Sequence, residues 1–149
     1  MLSNRSIPNA AVIPVLAYSD ANFAAAWLSE AFGFSVRVRI GNHRIQMHAG
    51  EGAIIVREFR PHEFGAQLGI GCYVMVRVED AEQHCRRARE HGARITSEPN
   101  TYPYGERQYT AEDLGGYSWT FSQSVADVDP EEWGGIADRT TTTEQPEPE

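Results

Sequence analysis

The chain has 149 residues, of which 41% are hydrophobic and 23% are charged, and its formal net charge is −8. This length suits one compact domain with its own core, and no apolar run reaches the roughly 18 residues of a membrane helix. All 13 basic residues are arginine, which excludes a Schiff-base lysine and a lysine-bearing phosphate loop.

The negative charge is concentrated in residues 127–149, which hold eight acids and one arginine. The rest of the chain is nearly neutral and lacks the basic patch that binds phosphate backbones, so we predict no nucleic-acid binding. The N-terminus lacks the order of a secretory signal, and Cys72 and Cys85 have no paired spacing. We therefore expect reduced thiols, a cytoplasmic location and no membrane partner.

The first predicted strand covers residues 12–18 and is followed by Asp20 and a helix that ends at Gly33. Within that helix, apolar residues recur at every fourth position, which is typical of a buried helical stripe. The pattern then switches to the two-residue alternation of strands, interrupted by glycine turns. The predicted strands are residues 35–40, 44–48 and 53–59.

The same order of elements returns at an offset of sixty residues, after a predicted linker at 60–70. A strand at 72–78 leads to Asp80, a helix and Gly92, and strands are predicted at 94–98, 107–111 and 117–122, with a long loop through Pro99 and Pro103. Each half is thus a β-α-β-β-β module, at about 11–59 and 71–123. We predict one α+β domain over residues 1–136 and a disordered acidic tail over 137–149.

The repeat resembles the vicinal oxygen chelate superfamily, which includes glyoxalases, extradiol dioxygenases and bleomycin-resistance proteins. The similarity is carried by YGER at 104–107, by DLGGYSW at 113–119 and by AFGF at 31–34. It implies paired β-α-β-β-β modules that curve around a cleft, usually in a homodimer. In catalytic relatives, four cleft-facing side chains on the first, fourth, fifth and eighth strands bind a divalent metal.

Those four positions are predicted to correspond to Ile13, Val56, Cys72 and Thr120. None is histidine or glutamate, and two of them have no lone pair to offer a cation. We therefore expect no metal and no cofactor, and the prediction leans away from an enzyme. Cys72 is either a small hydrophobic residue or a reactive thiol that faces the cleft.

The eighth strand alternates aromatic residues with small hydroxylic ones, so we expect its aromatic face to pack on the helix and its small face to line the cleft. The first and fifth strands would add apolar walls at Ile13, Val15 and Ala17 and at Cys72, Val74 and Val76. The small residues could equally let the two modules close on each other. The candidate ligand-binding residues are Phe59, Cys72, Tyr104, Arg107, Tyr109, Ser118 and Thr120.

Several of these residues have two interpretations. Arg107 could hold a carboxylate or phosphate of a ligand, or it could brace the turn at Asp113. His84 is expected at the solvated edge of the second helix, and Trp133 is expected to anchor a turn on the body, although an acidic interaction motif is an alternative.

The first functional hypothesis is a metal-free protein that binds or sequesters a small aromatic or amphipathic, antibiotic-like molecule in the cleft of a homodimer. The alternative is a metal- or thiol-dependent lyase, isomerase or dioxygenase with the same fold. A third hypothesis is an interaction module with collapsed clefts. The sequence does not identify the ligand or decide whether modules pair within one chain or are swapped between chains.

Overall fold

A computed structural model describes residues 2–60 and 71–137. The predicted linker beyond Arg60 and the predicted tail beyond Ala137 lie outside the described residues. Within the described residues, no helix is long and apolar enough to cross a membrane.

The first module contains strand β1, helix α1 and three further strands. Helix α1 begins after Asp20, whose side chain accepts a hydrogen bond from Phe23 N, and it ends at Gly33, which has a φ of 81°. A positive φ is strained for residues with a side chain, so glycine is suited to this helix end. The elements are β1 Val15–Tyr18, α1 Ala21–Phe32, β2 Ser35–Ile40, β3 Arg44–Ala49 and β4 Gly52–Glu58.

The second module repeats this order and its helix cap. The Asp80 side chain accepts a hydrogen bond from Gln83 N and begins helix α2. The described chain ends in a short 3-10 helix, Pro130–Trp133, which we call the C-terminal turn. The elements of the module are β5 Val74–Arg77, α2 Ala81–Glu90, β6 Arg94–Tyr102, β7 Glu106–Glu112 and β8 Ser118–Ser124.

Each module folds into a four-stranded mixed sheet with the same topology. Sheet 1 has the order β1-β4-β3-β2 and sheet 2 the order β5-β8-β7-β6, with the first pair parallel and the other pairs antiparallel. The predicted α+β class and the two β-α-β-β-β modules are therefore confirmed.

The predicted loop after residue 98 is wrong, because β6 continues to Tyr102 through Pro99. The pairing of β6 with β7 shifts register between Ser97 and Asn100, which accommodates a residue without a backbone N–H. β6 is an edge strand, and edges and bulges are the places in a sheet where proline is tolerated.

The two modules share one hydrophobic core. Phe32, at the end of α1, contacts Trp119 and Phe121 of sheet 2 at ring-centroid distances of 5.7 and 4.8 Å, and the two helices contact each other. The core side of each sheet is called here the inner face. It carries Ile54 and Val56 in sheet 1 and Trp119 and Phe121 in sheet 2. The opposite, outer faces therefore point away from the shared core.

Candidate functional site

The outer face of sheet 1 is covered by residues 4–8, which we call the N-terminal strap. Gln46 on β3 is only 2% exposed, and its amide nitrogen donates to Ser6 O at 2.7 Å. Arg37 donates to the Gln46 carbonyl oxygen at 2.5 Å and to Arg5 O at 2.9 Å. The strap thus satisfies a polar side chain that would otherwise be buried without a partner.

The outer face of sheet 2 is a hydrogen-bonded array of small polar side chains. Thr110 and Thr120 are joined at 2.8 Å, and Gln108 donates to Ser122 Oγ at 3.0 Å. The carboxylate of Glu106 accepts from Ser122 Oγ and Ser124 Oγ, both at 2.5 Å. This face can therefore offer both donors and acceptors to a ligand.

Glu106 is ionised in this array. Burial acts to raise the pKa of Glu106, but hydrogen bonds from Ser122 and Ser124 and the charge of Arg77 outweigh it, so the pKa lies below its usual range. Arg77 itself donates to Ser124 Oγ at 2.6 Å. The array thus contains a fixed negative charge at neutral pH.

A groove with a volume of about 960 Å³ runs between edge strands β1 and β5, and we call it the β1–β5 groove. It is mainly apolar and contains residues whose side chains are far more exposed than is usual for their type. Tyr73 is 58% exposed and Met75 is 51% exposed. Such exposed apolar surface is typical of ligand or partner sites. The lining residues most relevant to binding are Val12, Val15, Ala53, Cys72, Tyr73, Met75 and Arg77.

At the opposite end of β1 the two modules are locked together by Asp113. Its carboxylate accepts from Tyr18 Oη at 2.6 Å and Trp119 Nε1 at 2.9 Å, and also from the backbone N–H groups of Gly115 and Tyr117. Burial raises the pKa of Asp113, while these hydrogen bonds act in the opposite direction. We call this contact the closed junction, because hydrogen bonds join the β7–β8 turn to β1 here and only a small pocket of about 230 Å³ lies beside it.

Five of the seven predicted site residues are distributed over three regions. Cys72 lines the β1–β5 groove, and Ser118 and Thr120 lie on the outer face of sheet 2. Tyr104 lies beside that face, where its hydroxyl donates to Gln108 Oε1 at 3.1 Å. Phe59 lines a separate, smaller pocket of about 230 Å³ near Tyr18 and Leu114.

Tyr109 and Arg107 lie on the inner side of sheet 2 and have other partners. Tyr109 is fully buried, and its hydroxyl is 2.5 Å from His84 Nδ1. Arg107 pairs with Glu82 of α2 at 2.8 Å, so it contacts neither Asp113 nor the outer face. Neither residue therefore lines the β1–β5 groove.

One of the predicted metal positions, Val56, needs correction because it lies on the inner side of its sheet. Val56 is fully buried on the inner face, and its outer-face neighbour on β4 is Ile55, which pairs with Val15. On β5, Val74 and Val76 also pack towards the core, whereas Met75 pairs with Thr120 on the outer face. Cys72, Val74 and Val76 nevertheless all line the β1–β5 groove, together with Val15 of the other predicted wall.

Correcting the register does not create a metal site. Ile13 and Ile55 have no donor atoms, and the hydroxyl of Thr120 is already bonded to Thr110. No group of three or more histidine, cysteine, aspartate or glutamate residues that could hold a metal ion occurs within residues 2–60 and 71–137. These residues do not fit the divalent cation used by catalytic relatives.

His84 is a further correction, because the structure places it between the modules and not at a solvated edge. Its ring lies 4.2 Å from that of Phe121, and Nε2 is 2.9 Å from Phe32 O. Burial lowers the pKa of His84, a backbone hydrogen bond to Phe32 acts to raise it, and Arg87 lowers it further. The two ring contacts that bury it come from distant parts of the chain, so helix periodicity alone gave no signal for them.

Comparisons with known proteins agree with this architecture. The family model of the glyoxalase/bleomycin resistance protein/dioxygenase superfamily matches residues 10–121. The crystal structure of TioX from Micromonospora sp. ML1 is 31% identical, with a TM-score of 0.64 over 80% of this chain and 100% of that chain. No curated protein matches the sequence.

Two more distant solved structures share the fold. TnmS3, an antibiotic binding protein from Streptomyces sp. CB03234, is 22% identical, with a TM-score of 0.59 over 75% of this chain and 93% of that chain. A glyoxalase/bleomycin resistance protein/dioxygenase from Nocardioides is 17% identical, with a TM-score of 0.61 over 92% of this chain and 93% of that chain. The repeated modules, their topology and the family match together show that this chain belongs to the glyoxalase/bleomycin resistance protein/dioxygenase superfamily.

Proposed function

We propose that this protein binds a small aromatic or amphipathic, antibiotic-like molecule without a metal. The observation that carries the proposal is the β1–β5 groove, which combines an open volume of about 960 Å³ with apolar walls. A pocket of this size is within the range of small-molecule sites. The polar array on the outer face of sheet 2 begins at the same strand, at Arg77, and supplies orienting hydrogen bonds.

Two further points support binding over metal-dependent catalysis. The donor atoms expected at the family's metal positions are missing, and the hydroxyl at Thr120 is engaged with Thr110. One solved relative with this fold is an antibiotic binding protein, which makes antibiotics a reasonable set of probes.

The proposal includes a homodimer. Edge strand β5 faces the groove, and the exposed side chains of Val12, Val15, Tyr73 and Met75 line it. Exposed edges with apolar side chains favour association with another chain. A second copy that covers part of the groove would enclose the ligand, and size exclusion with light scattering tests this. A monomer at micromolar concentration would contradict the dimer.

The function is tested by thermal shift with bleomycin and a panel of aromatic antibiotics, compared with Zn, Ni, Mn and Fe salts. We expect stabilisation by at least one organic ligand and none by the metals. Met75→Glu places a charge in the groove and should weaken ligand binding about tenfold or more, because an unpaired charge is costly to bury.

Ile40→Glu is the matched control, since Ile40 is an exposed apolar residue on β2, at the opposite edge of sheet 1. It should leave ligand binding unchanged. Equal binding by Met75→Glu and wild type, or one bound metal per chain, would contradict the proposed function.

A further inference from the structure

The C-terminal turn places an aromatic ring beside the polar array of sheet 2, outside the family's domain. Trp133 lies beyond the matched residues 10–121 and is 47% exposed. The turn is built to hold it: the Asp129 side chain accepts from Glu131 N, and Gly135 N donates to Pro130 O at 2.8 Å. A half-exposed tryptophan on a capped turn keeps one ring face available for a ligand.

Trp133 continues a row of rings. Its centroid is 5.0 Å from that of Tyr104, which in turn stacks on Tyr102 at 5.5 Å with an interplanar angle of 6°. Burial raises the pKa of Tyr104, and Tyr102, Tyr73 and Glu106 raise it further. Tyr102 pairs with Glu106 across β6 and β7, and Glu106 accepts from Ser124 Oγ. Ser124 Oγ in turn accepts from Arg77, which lines the β1–β5 groove, so hydrogen bonds connect the row with that groove.

The approach of the C-terminal segment depends on Gly105, the glycine of the YGER motif. A Cβ at this position would lie 2.5 Å from Ala126 O and 3.0 Å from Val128 Cγ2, and φ is +86°. Only glycine permits both the backbone conformation and the close contact. The motif therefore brings Trp133 onto Tyr104 as well as shaping the β6–β7 turn.

The charge around this row is predominantly negative. Glu106 is ionised, and the C-terminal turn adds Asp129, Glu131 and Glu132. The nearby cation is Arg77, and its guanidinium donates to Ser124 Oγ. Faces of tyrosine and tryptophan attract cations, and a carboxylate beside them adds to that attraction.

We propose that Tyr102, Tyr104 and Trp133, together with the carboxylate of Glu106, form a subsite for a planar aromatic cation. This inference rests on the proposed function, because it assigns a chemical class to part of the ligand bound in the groove. The planar ring stacks on the tyrosine and tryptophan faces, and its positive charge is held by Glu106.

The test uses the full chain and two planar probes of opposite charge, proflavine as the cation and pyrene-1-sulfonate as the anion. Binding is followed by probe fluorescence anisotropy. Wild type should bind proflavine more tightly than the sulfonate. Trp133→Ala and Glu106→Gln should each weaken proflavine binding by about 2- to 30-fold, the range of a cation–π contact.

Trp27→Phe is the control for a general effect of losing a tryptophan, because Trp27 lies on α1 and donates to His91 O. It should leave proflavine affinity unchanged. Trp133→Phe keeps a ring on the turn and should retain most of the affinity. Thermal unfolding of each variant shows whether the fold is intact.

The outcomes separate this inference from the proposed function. Loss of proflavine in Trp133→Ala and Glu106→Gln supports the subsite. If Met75→Ala abolishes proflavine binding while Trp133→Ala and Glu106→Gln do not, the groove binds ligand and the subsite is overturned. Tighter binding of the sulfonate, or no proflavine binding to wild type, also overturns the subsite. The thermal-shift panel of antibiotics then tests ligand binding in the groove independently.

Discussion

The two modules have the same topology but use their equivalent positions differently. Asp20 and Asp80 cap the two helices, and the first helical N–H is accepted by Glu58 in one module and Gln123 in the other. Away from these shared features, module 2 carries the locking carboxylate, a half-buried histidine and a polar array on its outer face, whereas the N-terminal strap contacts the outer face of module 1. The shared residues begin the equivalent helices of the fold, and the residues that differ give each module its own polar and apolar surfaces.

The junctions between the modules differ in the same way. The β7–β8 turn of module 2 closes on β1 through Asp113, while the β3–β4 turn of module 1 lies beside β5 and lines an open groove. The carboxylate of Asp113 in the β7–β8 turn accepts from Tyr18 of β1, whereas the equivalent β3–β4 turn carries Glu51, which lines the open groove.

Asp113→Ala removes the carboxylate of the closed junction and should have the largest effect on stability. It leaves the buried Tyr18 hydroxyl and Trp119 indole without their acceptor, and we expect a loss of about 3 kcal/mol or more in the free energy of unfolding. Glu112→Ala, which breaks the surface pair with Arg94, is the neighbouring control and should cost about 1 kcal/mol or less. Urea denaturation measures both, and equal losses would show that the closed junction contributes little.

Gly115→Ala and Gly52→Ala compare the two turns directly. A Cβ at Gly115 would lie 2.8 Å from the Tyr18 ring, whereas one at Gly52 would lie 3.4 Å from Ala49 O. Because of overpacking, Gly115→Ala should lower the free energy of unfolding by about 1–3 kcal/mol, and Gly52→Ala should lower it clearly less. The difference in melting temperature between the variants checks this, and a larger loss for Gly52→Ala would reverse our assignment of the tighter turn.

Gln46→Ala and Gln108→Ala compare the two outer faces. Removing Gln46 leaves Ser6 O without its buried donor and frees Arg37, so we expect a loss of about 1–2 kcal/mol. Gln108 is more exposed, and water can replace its hydrogen bonds. Its removal should therefore lower the free energy of unfolding by less than the removal of Gln46. Faster hydrogen exchange in residues 4–8 of Gln46→Ala would locate the effect in the strap, and unchanged exchange there would contradict the role given to Gln46.

The lowered pKa of His84 predicts that the stability of the protein depends on pH. The corresponding position of α1 in module 1 is Ala24, which does not titrate. The pKa of His84 is lowered in the folded protein, so the unfolded chain takes up a proton first as the pH falls below 6.5. Stability from this group is complete above that pH and declines towards the lower folded pKa. Tyr109, Phe32 O and Arg87 surround the ring.

Urea midpoints at pH 8 and pH 5 for wild type and His84→Gln test the assignment. The wild type should lose more stability on acidification than the variant. An identical loss in both proteins would assign the pH dependence to other groups.

The sequence predicted the repeat, both helices and most strands, because the offset of sixty and the apolar periodicities are local signals. It misassigned the side of Val56 because Ile54, Ile55 and Val56 are all buried, so the strand shows no alternation. It also missed the Arg107–Glu82 pair and the burial of His84, which depend on how α2 packs on sheet 2. Which face of a strand meets a helix is a tertiary property that an uninterrupted apolar run does not encode.

The N-terminal strap and the C-terminal turn have one feature in common: both lie outside residues 10–121 and both contact or border an outer face. The family's domain thus contains both helices and, except for the end of β8, both sheets, while short flanking segments cover or border the outer faces. Relatives could exchange such segments without disturbing the core. A comparison restricted to residues 10–121 therefore leaves out the segments that decide how much of each outer face is exposed.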